Sequence, residues 1–228
     1  MSGSGQNTSR FDFVVIVGSL GALPVLRSVL GELPRTFPVP ITVVQHRPAG
    51  TDADSLPRLL RRTTALPVRA ARPGLACAPG VSVVPGGACA TVAGNHVLAL
   101  HPSTVTDQGG DGLLATAAAA ARPGHGIAVI LSGMRRDGAE GVRSVKRQGG
   151  RVLAQDPGSA RAQGMPSASL ATGCVDFALP PHRIAAALIA LTMAPGAADL
   201  LSVPAPHWAA LGETEPAPWA ATGTAGRR

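Results

Sequence analysis

The stretch V-I-L-S-G-M-R-R-D-G-A-E-G at positions 129–141 decides the fold. An apolar run ends in a turn of small residues, the turn carries the acid Asp137, and a segment with helical spacing follows. This order predicts a strand, a turn and a helix, with a carboxylate at the carboxyl end of the strand. In an open parallel sheet, ligands bind at that edge. Taken alone, Asp137 is also typical of a helix N-cap, so the neighbouring segments must decide between the two interpretations.

The same alternation of strands and helices runs through the rest of the chain. Predicted strands cover residues 11–17, 41–45, 81–84, 90–93, 96–100, 127–131, 152–154 and 175–179, and predicted helices cover 23–33, 55–63, 113–121, 138–148, 166–172 and 184–192. The three Val-rich runs between 81 and 100 are separated by turn residues and predict a hairpin or meander at the sheet edge. We therefore predict an α/β fold with a doubly wound, mostly parallel sheet flanked by helices, and a small antiparallel hairpin insertion.

Length and composition predict one domain between two tails. The chain has 228 residues, of which 45% are hydrophobic, and this is enough for a sizeable core. We place the domain at 11–193, a flexible N-terminus at 1–10 and a disordered tail, rich in Pro, Ala and Gly, at 194–228. The sequence shows neither a signal-peptide core nor an apolar run long enough to span a bilayer, so we expect a cytoplasmic protein without membrane insertion.

Charge and residue usage narrow the range of partners. A formal net charge of +7 attracts acidic partners in general, nucleic acid or a Glu-rich protein surface, but the scattered arginines favour a merely solvated basic surface. Aromatic residues make up 3% and Tyr is missing, which argues against RNA binding by stacking, and the arginines form no dense block, so we expect no nucleic-acid partner. The three cysteines, Cys77, Cys89 and Cys174, have no C-x-x-C spacing, which favours buried thiols over a zinc site; a Cys77–Cys89 disulfide is the unsupported alternative.

Three polar residues follow predicted strands, and together they suggest nucleophilic catalysis. Ser19 follows the first strand, His46 the second, and Asp137 the strand of the opening stretch. A hydroxyl nucleophile needs a base, and the base needs an acceptor that fixes its tautomer. Ser19 also precedes a helix, whose free N–H groups can stabilise an oxyanion. Singly, each residue is more often a cap or a packed side chain, so the prediction depends on their meeting at one edge.

The turn G-S-L-G at positions 18–21 also suggests a nucleotide site. It lacks the third glycine of G-x-G-x-x-G and has no Walker lysine. Val17 stands where the G-x-S-x-G hydrolase elbow has its first glycine. A nucleotide-binding α/β domain that uses the helix after Gly21 is therefore only weakly supported by the sequence.

These motifs together resemble the catalytic domain of the CheB-type protein-glutamate methylesterases. The family's G-A-S-T-G-G turn corresponds to V-G-S-L-G-A at 17–22, its Q-H-M-P-P-G to Q-H-R-P-A-G at 45–50, and its L-T-G-M-G-x-D-G-A-x-G to L-S-G-M-R-R-D-G-A-E-G at 131–141. Further matches are L-P and P-V-P-I at 33–34 and 38–41, a looser hairpin match at 79–86, A-Q-D at 154–156 and G-M-P at 164–166. The resemblance extends over about 11–193, which is the whole predicted domain.

The resemblance implies a catalytic triad of Ser19, His46 and Asp137, with the backbone N–H groups of Leu20 or Met134 as oxyanion donors. The implied reaction is hydrolysis of γ-glutamyl methyl esters on chemotaxis receptors with release of methanol, and some members also deamidate receptor glutamines. The implied partner is thus a methylated acidic protein, and no metal or organic cofactor is implied. The receiver domain of many members is not in this sequence, so we expect no control by aspartyl phosphorylation within the chain. The oligomeric state stays open.

Departures from the family motifs keep a second hypothesis open. Leu20 replaces a threonine beside the implied nucleophile, and Arg135 replaces a glycine next to Met134. The family's R-P-S-V-D stretch is echoed only in part, by H-P-S at 101–103 and by Asp107. The alternative is a catalytically impaired binding module whose basic groove holds an acidic protein.

Overall fold

Strand β1 (Phe13–Gly18) lies at the centre of a seven-stranded sheet in the computed structural model, which describes residues 11–103 and 109–201. Its F-V-V-I-V-G sequence is buried throughout, as expected for a strand covered on both faces. The other strands are β2 (Pro40–Gln45), β3 (Val68–Ala70), β4 (Gly80–Val83), β5 (Ala88–Ala93), β6 (Val97–Pro102), β7 (Gly126–Ile130), β8 (Arg151–Gln155) and β9 (Phe177–Leu179). The helices are α1 (Ala22–Glu32), α2 (Ser55–Arg61), α3 (Gly110–Ala120), α4 (Ala139–Arg147), α5 (Gly164–Ala171), α6 (Pro181–Met193) and α7 (Ala197–Leu200).

The order of the strands creates a crevice at one edge of the sheet. The order is β3-β4-β2-β1-β7-β8-β9, and every pairing in it is parallel. The chain builds outward from β1 on one side and then returns to start β7 on the other, so the strand order reverses at β1. Ligands bind outside the carboxyl ends of strands at such a switch point. With the separate antiparallel pair β5–β6, this arrangement confirms the predicted fold class.

Two apolar layers cover the sheet, because successive strand residues point to opposite faces. Val14 and Ile16 face a core that also contains buried residues of α1, α2 and α6. Val15 and Val17 face the second core, together with buried residues of α3, α4 and α5. Both faces of β1 are thereby held rigidly, and the turn that follows it has a fixed position.

The structure corrects the predicted hairpin region. The run at 81–84 is not part of a hairpin: β4 lies inside the main sheet, between β2 and β3, in parallel register with both. The hairpin is β5–β6 alone, and it packs against α3 rather than extending the sheet. The short strand β3 was not predicted, because three residues are too few for a periodicity to show.

The structure also corrects the start of the predicted C-terminal tail. Helix α7 lies within the segment predicted to be disordered, and Leu201 packs against the core. Ala194, Pro195 and Gly196 end α6, but the A-A-D-L that follows favours one more helical turn. The predicted flexible residues 1–10, the rest of the tail and Asp107 lie outside the described residues. Among the helices that the structure describes, none is both long and apolar enough to cross a bilayer.

Candidate active site

The three predicted triad residues all follow strands at the crevice. Ser19 comes directly after β1 and His46 directly after β2, whereas Asp137 lies in the loop between β7 and α4. The backbone joins these turns, since the N–H of Ser19 donates to the carbonyl of Ser132 at 2.9 Å and the N–H of His46 donates to the carbonyl of Gly18 at 3.0 Å. The nucleophile turn is therefore tied to the strands on both sides of it.

His46 and Asp137 are in direct contact. Nε2 of His46 lies 2.7 Å from Oδ2 of Asp137, and the two side chains are only 16% and 7% exposed. The carboxylate also accepts hydrogen bonds from the backbone N–H of Gly110 to Oδ2 at 3.0 Å and from that of Asp111 to Oδ1 at 2.9 Å. The first turn of α3 thus holds the acid in place, in a contact that the sequence did not reveal.

The charge state of Asp137 follows from these contacts. Burial raises the pKa of Asp137, but the hydrogen bond and charge of His46 and the backbone donors of Asp111 and Gly110 together hold it below its usual value. Asp137 is therefore an anion that accepts a hydrogen bond from Nε2 of His46. In the neutral tautomer that donates Nε2–H to Asp137, the second ring nitrogen, Nδ1, carries the lone pair and can act as a base.

Asp111 is a second acid directly behind Asp137, and the sequence reasoning missed it. Its Oδ1 accepts a hydrogen bond from the N–H of Gly141 at 2.7 Å, at the start of α4. Burial and the nearby charge of Asp137 raise the pKa of Asp111 to about 7, against the backbone hydrogen bonds of Gly141 and Gly138, which lower it. The only signal in the sequence was an acid in the first turn of an alanine-rich helix, which is an ordinary match to the helix dipole.

The turn that carries Ser19 is fixed by two polar side chains, of which Gln45 is half-buried and Ser132 is buried. Nε2 of Gln45 donates to the carbonyl of Ser19 at 2.8 Å. Oγ of Ser132, which is fully buried, donates to the carbonyl of Leu20 at 2.7 Å and accepts from the N–H of Ala162 at 2.9 Å. Ser132 therefore links the turns after β1, β7 and β8.

Gly133 lies close to Ser19. A Cβ built on this glycine would stand 3.0 Å from Cβ of Ser19 and would collide with Sδ of Met165, so only glycine fits here. The N–H of Gly133 donates to the carbonyl of Ala162 at 2.9 Å and is not available to a substrate. By contrast, the N–H groups of Leu20 and Met134 donate to no other group among the described residues. These two are the donors predicted for the oxyanion.

A cavity of about 510 Å³ opens over these groups. The residues that line it are Ser19, Leu20, Val44, Gln45, His46, Arg47, Pro48, Val84, Pro85, Gly87, Ala88, Ser103, Met134 and Arg135. Leu20 and Met134 are 48% and 70% exposed, so the cavity has an apolar rim. Ser19 and His46 both line it, but the Ser19 hydroxyl makes no hydrogen bond to His46 or to any other described group. The structure brings His46 and Asp137 into contact and places Ser19 on the same cavity without a bond to them.

Metal ligands and disulfides do not contribute to this site. Residues 11–103 and 109–201 contain no cluster of three or more His, Cys, Asp or Glu side chains that could hold a metal ion. Cys77, Cys89 and Cys174, all within these ranges, form no disulfide. The described lining of the cavity offers hydroxyl, imidazole, guanidinium and backbone N–H groups, and the carboxylate of Asp137 contacts His46 from outside that lining.

Comparison with known proteins assigns the chain to a family. The family model described as CheB methylesterase matches residues 14–188. The chain is 39% identical over 181 residues to protein-glutamate methylesterase/protein-glutamine glutaminase 3 of Anaeromyxobacter dehalogenans, covering 75% of this chain and 51% of that protein. It is 36% identical over 189 residues to protein-glutamate methylesterase FrzG of Myxococcus xanthus, covering 78% and 54%. The chain thus belongs to the CheB methylesterase family, and it spans about half the length of the curated relatives it matches.

A solved structure agrees with this assignment. The crystal structure of the Thermotoga maritima CheB methylesterase catalytic domain superposes with a TM-score of 0.72 at 35% sequence identity. The match covers 78% of this chain and 97% of that domain. The similarity therefore extends over nearly the whole catalytic domain of the relative.

Proposed function

We propose that the protein is a serine esterase that hydrolyses γ-methyl esters of glutamate side chains in a protein and releases methanol. The observation that carries the proposal is the His46–Asp137 contact on the cavity that Ser19 also lines. The names of the relatives, protein-glutamate methylesterases, support the choice of ester.

The proposed mechanism starts with proton transfer to His46. Nδ1 of His46 takes the proton of the Ser19 hydroxyl, and Oγ attacks the ester carbonyl to form a tetrahedral oxyanion. Asp137 keeps Nε2 protonated and stabilises the imidazolium that forms. The fixed carboxylate of Asp137, held by three donors, requires no rearrangement for this role.

The oxyanion is stabilised by backbone N–H groups. Leu20 supplies a donor from the turn after β1, and Met134 supplies one from the loop after β7. When the tetrahedral intermediate collapses, methoxide takes the proton from His46 and leaves as methanol, and Ser19 keeps the acyl group. His46 then removes a proton from water, the hydroxide attacks the acyl-enzyme, and free glutamate and Ser19 are restored.

The same chemistry extends to glutamine side chains. An amide has the same carbonyl geometry as the ester, but its leaving group is ammonia, which needs its proton from His46 more than methoxide does. The relative from Anaeromyxobacter dehalogenans carries both activities in its name, protein-glutamate methylesterase/protein-glutamine glutaminase. We propose a protein-glutamine deamidase activity as the second reaction of this site, and a methylated acidic protein of the chemotaxis-receptor type as its partner.

A fluorophosphonate probe tests the enzyme hypothesis without requiring a known substrate. The probe forms a covalent bond only with an activated serine. We expect labelling of the wild type at Ser19, found by mass spectrometry of the labelled peptide, and no labelling of Ser19→Ala. Labelling that is missing from both proteins, or that is equal in both, contradicts the proposal.

A binding module is the second candidate, and one observation favours it. The Ser19 hydroxyl makes no hydrogen bond to His46 in the described structure. Such bonds are often long in unliganded enzymes and form with the substrate, so this feature alone does not exclude catalysis. A binding module would hold an acidic protein equally well after Ser19→Ala, with an affinity that falls as salt rises, and would not react with the probe.

A further inference from the structure

We propose that Arg47 forms a carboxylate-binding subsite beside the reactive centre, so that the preferred substrate carries a free carboxylate next to its methyl-esterified glutamate. The inference rests on the proposed function and names the substrate class of the same site. Two observations support it: hydrogen bonds hold the Arg47 side chain in place, and the described lining of the cavity contains no acid.

Arg47 is anchored on two elements of the fold. Nη1 donates to Oγ of Ser55, the first residue of α2, at 3.2 Å, and Nη2 donates to the carbonyl of Val84, just after β4, at 3.1 Å. Nε is buried without a hydrogen-bond partner. These contacts use two of the five guanidinium N–H donors. A guanidinium that is already held in place loses little side-chain freedom when it binds an anion.

The described lining of the cavity offers no acid that balances the charge of Arg47. None of the described residues that line the cavity is Asp or Glu. Asp52 is the acid whose charge acts on Arg47, but it lies outside the lining, is exposed and is bound by Arg58. Burial lowers the pKa of Arg47 more than Asp52 raises it. The cavity thus favours an anion.

The subsite adjoins the reactive groups. Arg47 follows His46 in the chain, so their Cα atoms are about 3.8 Å apart. Arg47 and Ser19 line the same cavity, so an anion on Arg47 and an ester at Ser19 would lie in one binding space. Arginine pairs with carboxylates through two parallel hydrogen bonds, which gives both strength and direction. The matching feature of a substrate is a second acid near the esterified glutamate.

The test uses two peptides that differ only beside the ester. Both carry one glutamate γ-methyl ester, flanked by glutamates in one peptide and by glutamines in the other. Hydrolysis by the wild type should favour the acidic peptide in kcat/KM by about 10-fold or more, the range of one charge-assisted hydrogen bond. Arg47→Met, which keeps a long unbranched side chain, should lose most of that preference, and Arg47→Lys should keep part of it.

Arg27→Met is the matched control. Arg27 lies on the exposed face of α1 outside the cavity lining, and this variant loses the same single charge. Arg27→Met should keep the wild-type preference for the acidic peptide. This result would show that the preference comes from a local subsite and not from the general attraction of a basic protein for acidic peptides. If Arg47→Met and Arg47→Lys both keep the full preference, or if Arg27→Met loses as much of it, the subsite is contradicted.

Binding measured without turnover distinguishes this inference from the proposed function. In a Ser19→Ala background, fluorescence anisotropy should show tighter binding of the acidic peptide at low salt, and Arg47→Met should abolish the difference. Wild-type protein that hydrolyses neither peptide contradicts the esterase, while the binding difference still decides the subsite. Hydrolysis of both peptides at equal rates, with equal binding, contradicts the subsite and leaves the esterase standing.

Discussion

The backbone N–H of Asp111 donates a hydrogen bond to Oδ1 of Asp137 at 2.9 Å, while the side chain of Asp111 accepts one from Gly141 at 2.7 Å. Two buried acids thus lie back to back between the first turns of α3 and α4. The acid that contacts His46 is surrounded by donors, whereas the acid behind it is pushed toward its protonated form by burial and by the charge of Asp137. This pair links the stability of the domain to the geometry of the site.

Replacing Asp111 by Asn should change the dependence of stability on pH. The pKa of Asp111 is about 7 in the folded protein, above its value of about 3.9 in unfolded chains, so the folded state binds more protons between these values. The stability that this proton contributes is complete at low pH and is lost as pH rises through about 7. Asn cannot ionise, so Asp111→Asn should gain stability relative to the wild type between pH 5 and pH 8, measured by urea unfolding.

The Asp111→Ala variant provides the control for that experiment. It removes the acceptor of the Gly141 N–H as well as the charge, and it should lower the free energy of unfolding by about 1–2 kcal/mol relative to Asp111→Asn. The pKa of Asp137 is lowered in the folded protein, so its contribution to stability has the opposite pH dependence. That contribution is present above the unfolded pKa of Asp137 and is lost only in acid, at pH values below the range of that experiment. A pH-independent difference between wild type and Asp111→Asn contradicts the assignment.

Asp137→Asn should abolish most activity without unfolding the protein. The amide cannot accept from Nε2 of His46 and from both backbone donors at once, so the tautomer with a free Nδ1 is no longer favoured. We expect kcat/KM for ester hydrolysis to fall by about 10⁴-fold, as for comparable triads. Asp156→Asn is the matched control: this aspartate caps the turn after β8, a role that asparagine also fills, and the variant should retain wild-type rates. A loss of less than tenfold in Asp137→Asn argues against the triad.

Ser132→Ala should affect both the stability and the nucleophile turn. The change leaves the N–H of Ala162 without its acceptor and releases the carbonyl of Leu20. We expect a loss of about 1–3 kcal/mol in the free energy of unfolding and a fall in kcat that exceeds any change in KM. Ser28→Ala is the control: it removes an exposed serine on α1, and it should change the free energy of unfolding by less than about 0.5 kcal/mol. Equal effects of the two variants would show that Ser132 has no special role.

Gly133→Ala should displace Ser19. The new methyl group would collide with Sδ of Met165 and stand 3.0 Å from Cβ of Ser19, so one of these neighbours must move. We expect probe labelling of Ser19 to slow by at least about tenfold, because a small misplacement of a nucleophile has a large effect on rate. Gly94→Ala is the control, since its Cβ would meet no atom within 4 Å. Unchanged labelling in Gly133→Ala means that the Ser19 turn is not held as described.

The sequence predicted the strands that carry the site better than it predicted the periphery of the sheet. The β-branched run before Ser19 is strongly patterned, and its carboxyl end could be located directly. The run at 81–84 is as short and as apolar as the hairpin strands after it, and its partners, β2 and β3, are determined by long-range packing. Nothing local in the sequence distinguishes a buried parallel strand from a short hairpin strand.

The sequence predicted those residues of the candidate site whose side-chain type indicates their chemistry. It did not predict residues whose position depends on how the helices pack. Ser19, His46 and Asp137 stand at strand ends, and a parallel sheet brings strand ends together. Asp111 could not be assigned, because only the packing of α3 against α4 sets it behind Asp137. The groups proposed for Leu20 and Met134 are backbone N–H groups, so their side chains give no hint, and only the resemblance to the family suggested them.

The release of methanol from a methyl-esterified protein tests the central claim most directly. The substrate is a glutamate-rich receptor fragment with tritium-labelled methyl esters, and the volatile product is counted after incubation with wild type or with Ser19→Ala. We expect methanol release by the wild type, the appearance of free glutamate at the same positions, and a rate at least about 10⁴-fold lower for Ser19→Ala. Release at equal rates by both proteins, or by neither, would contradict it.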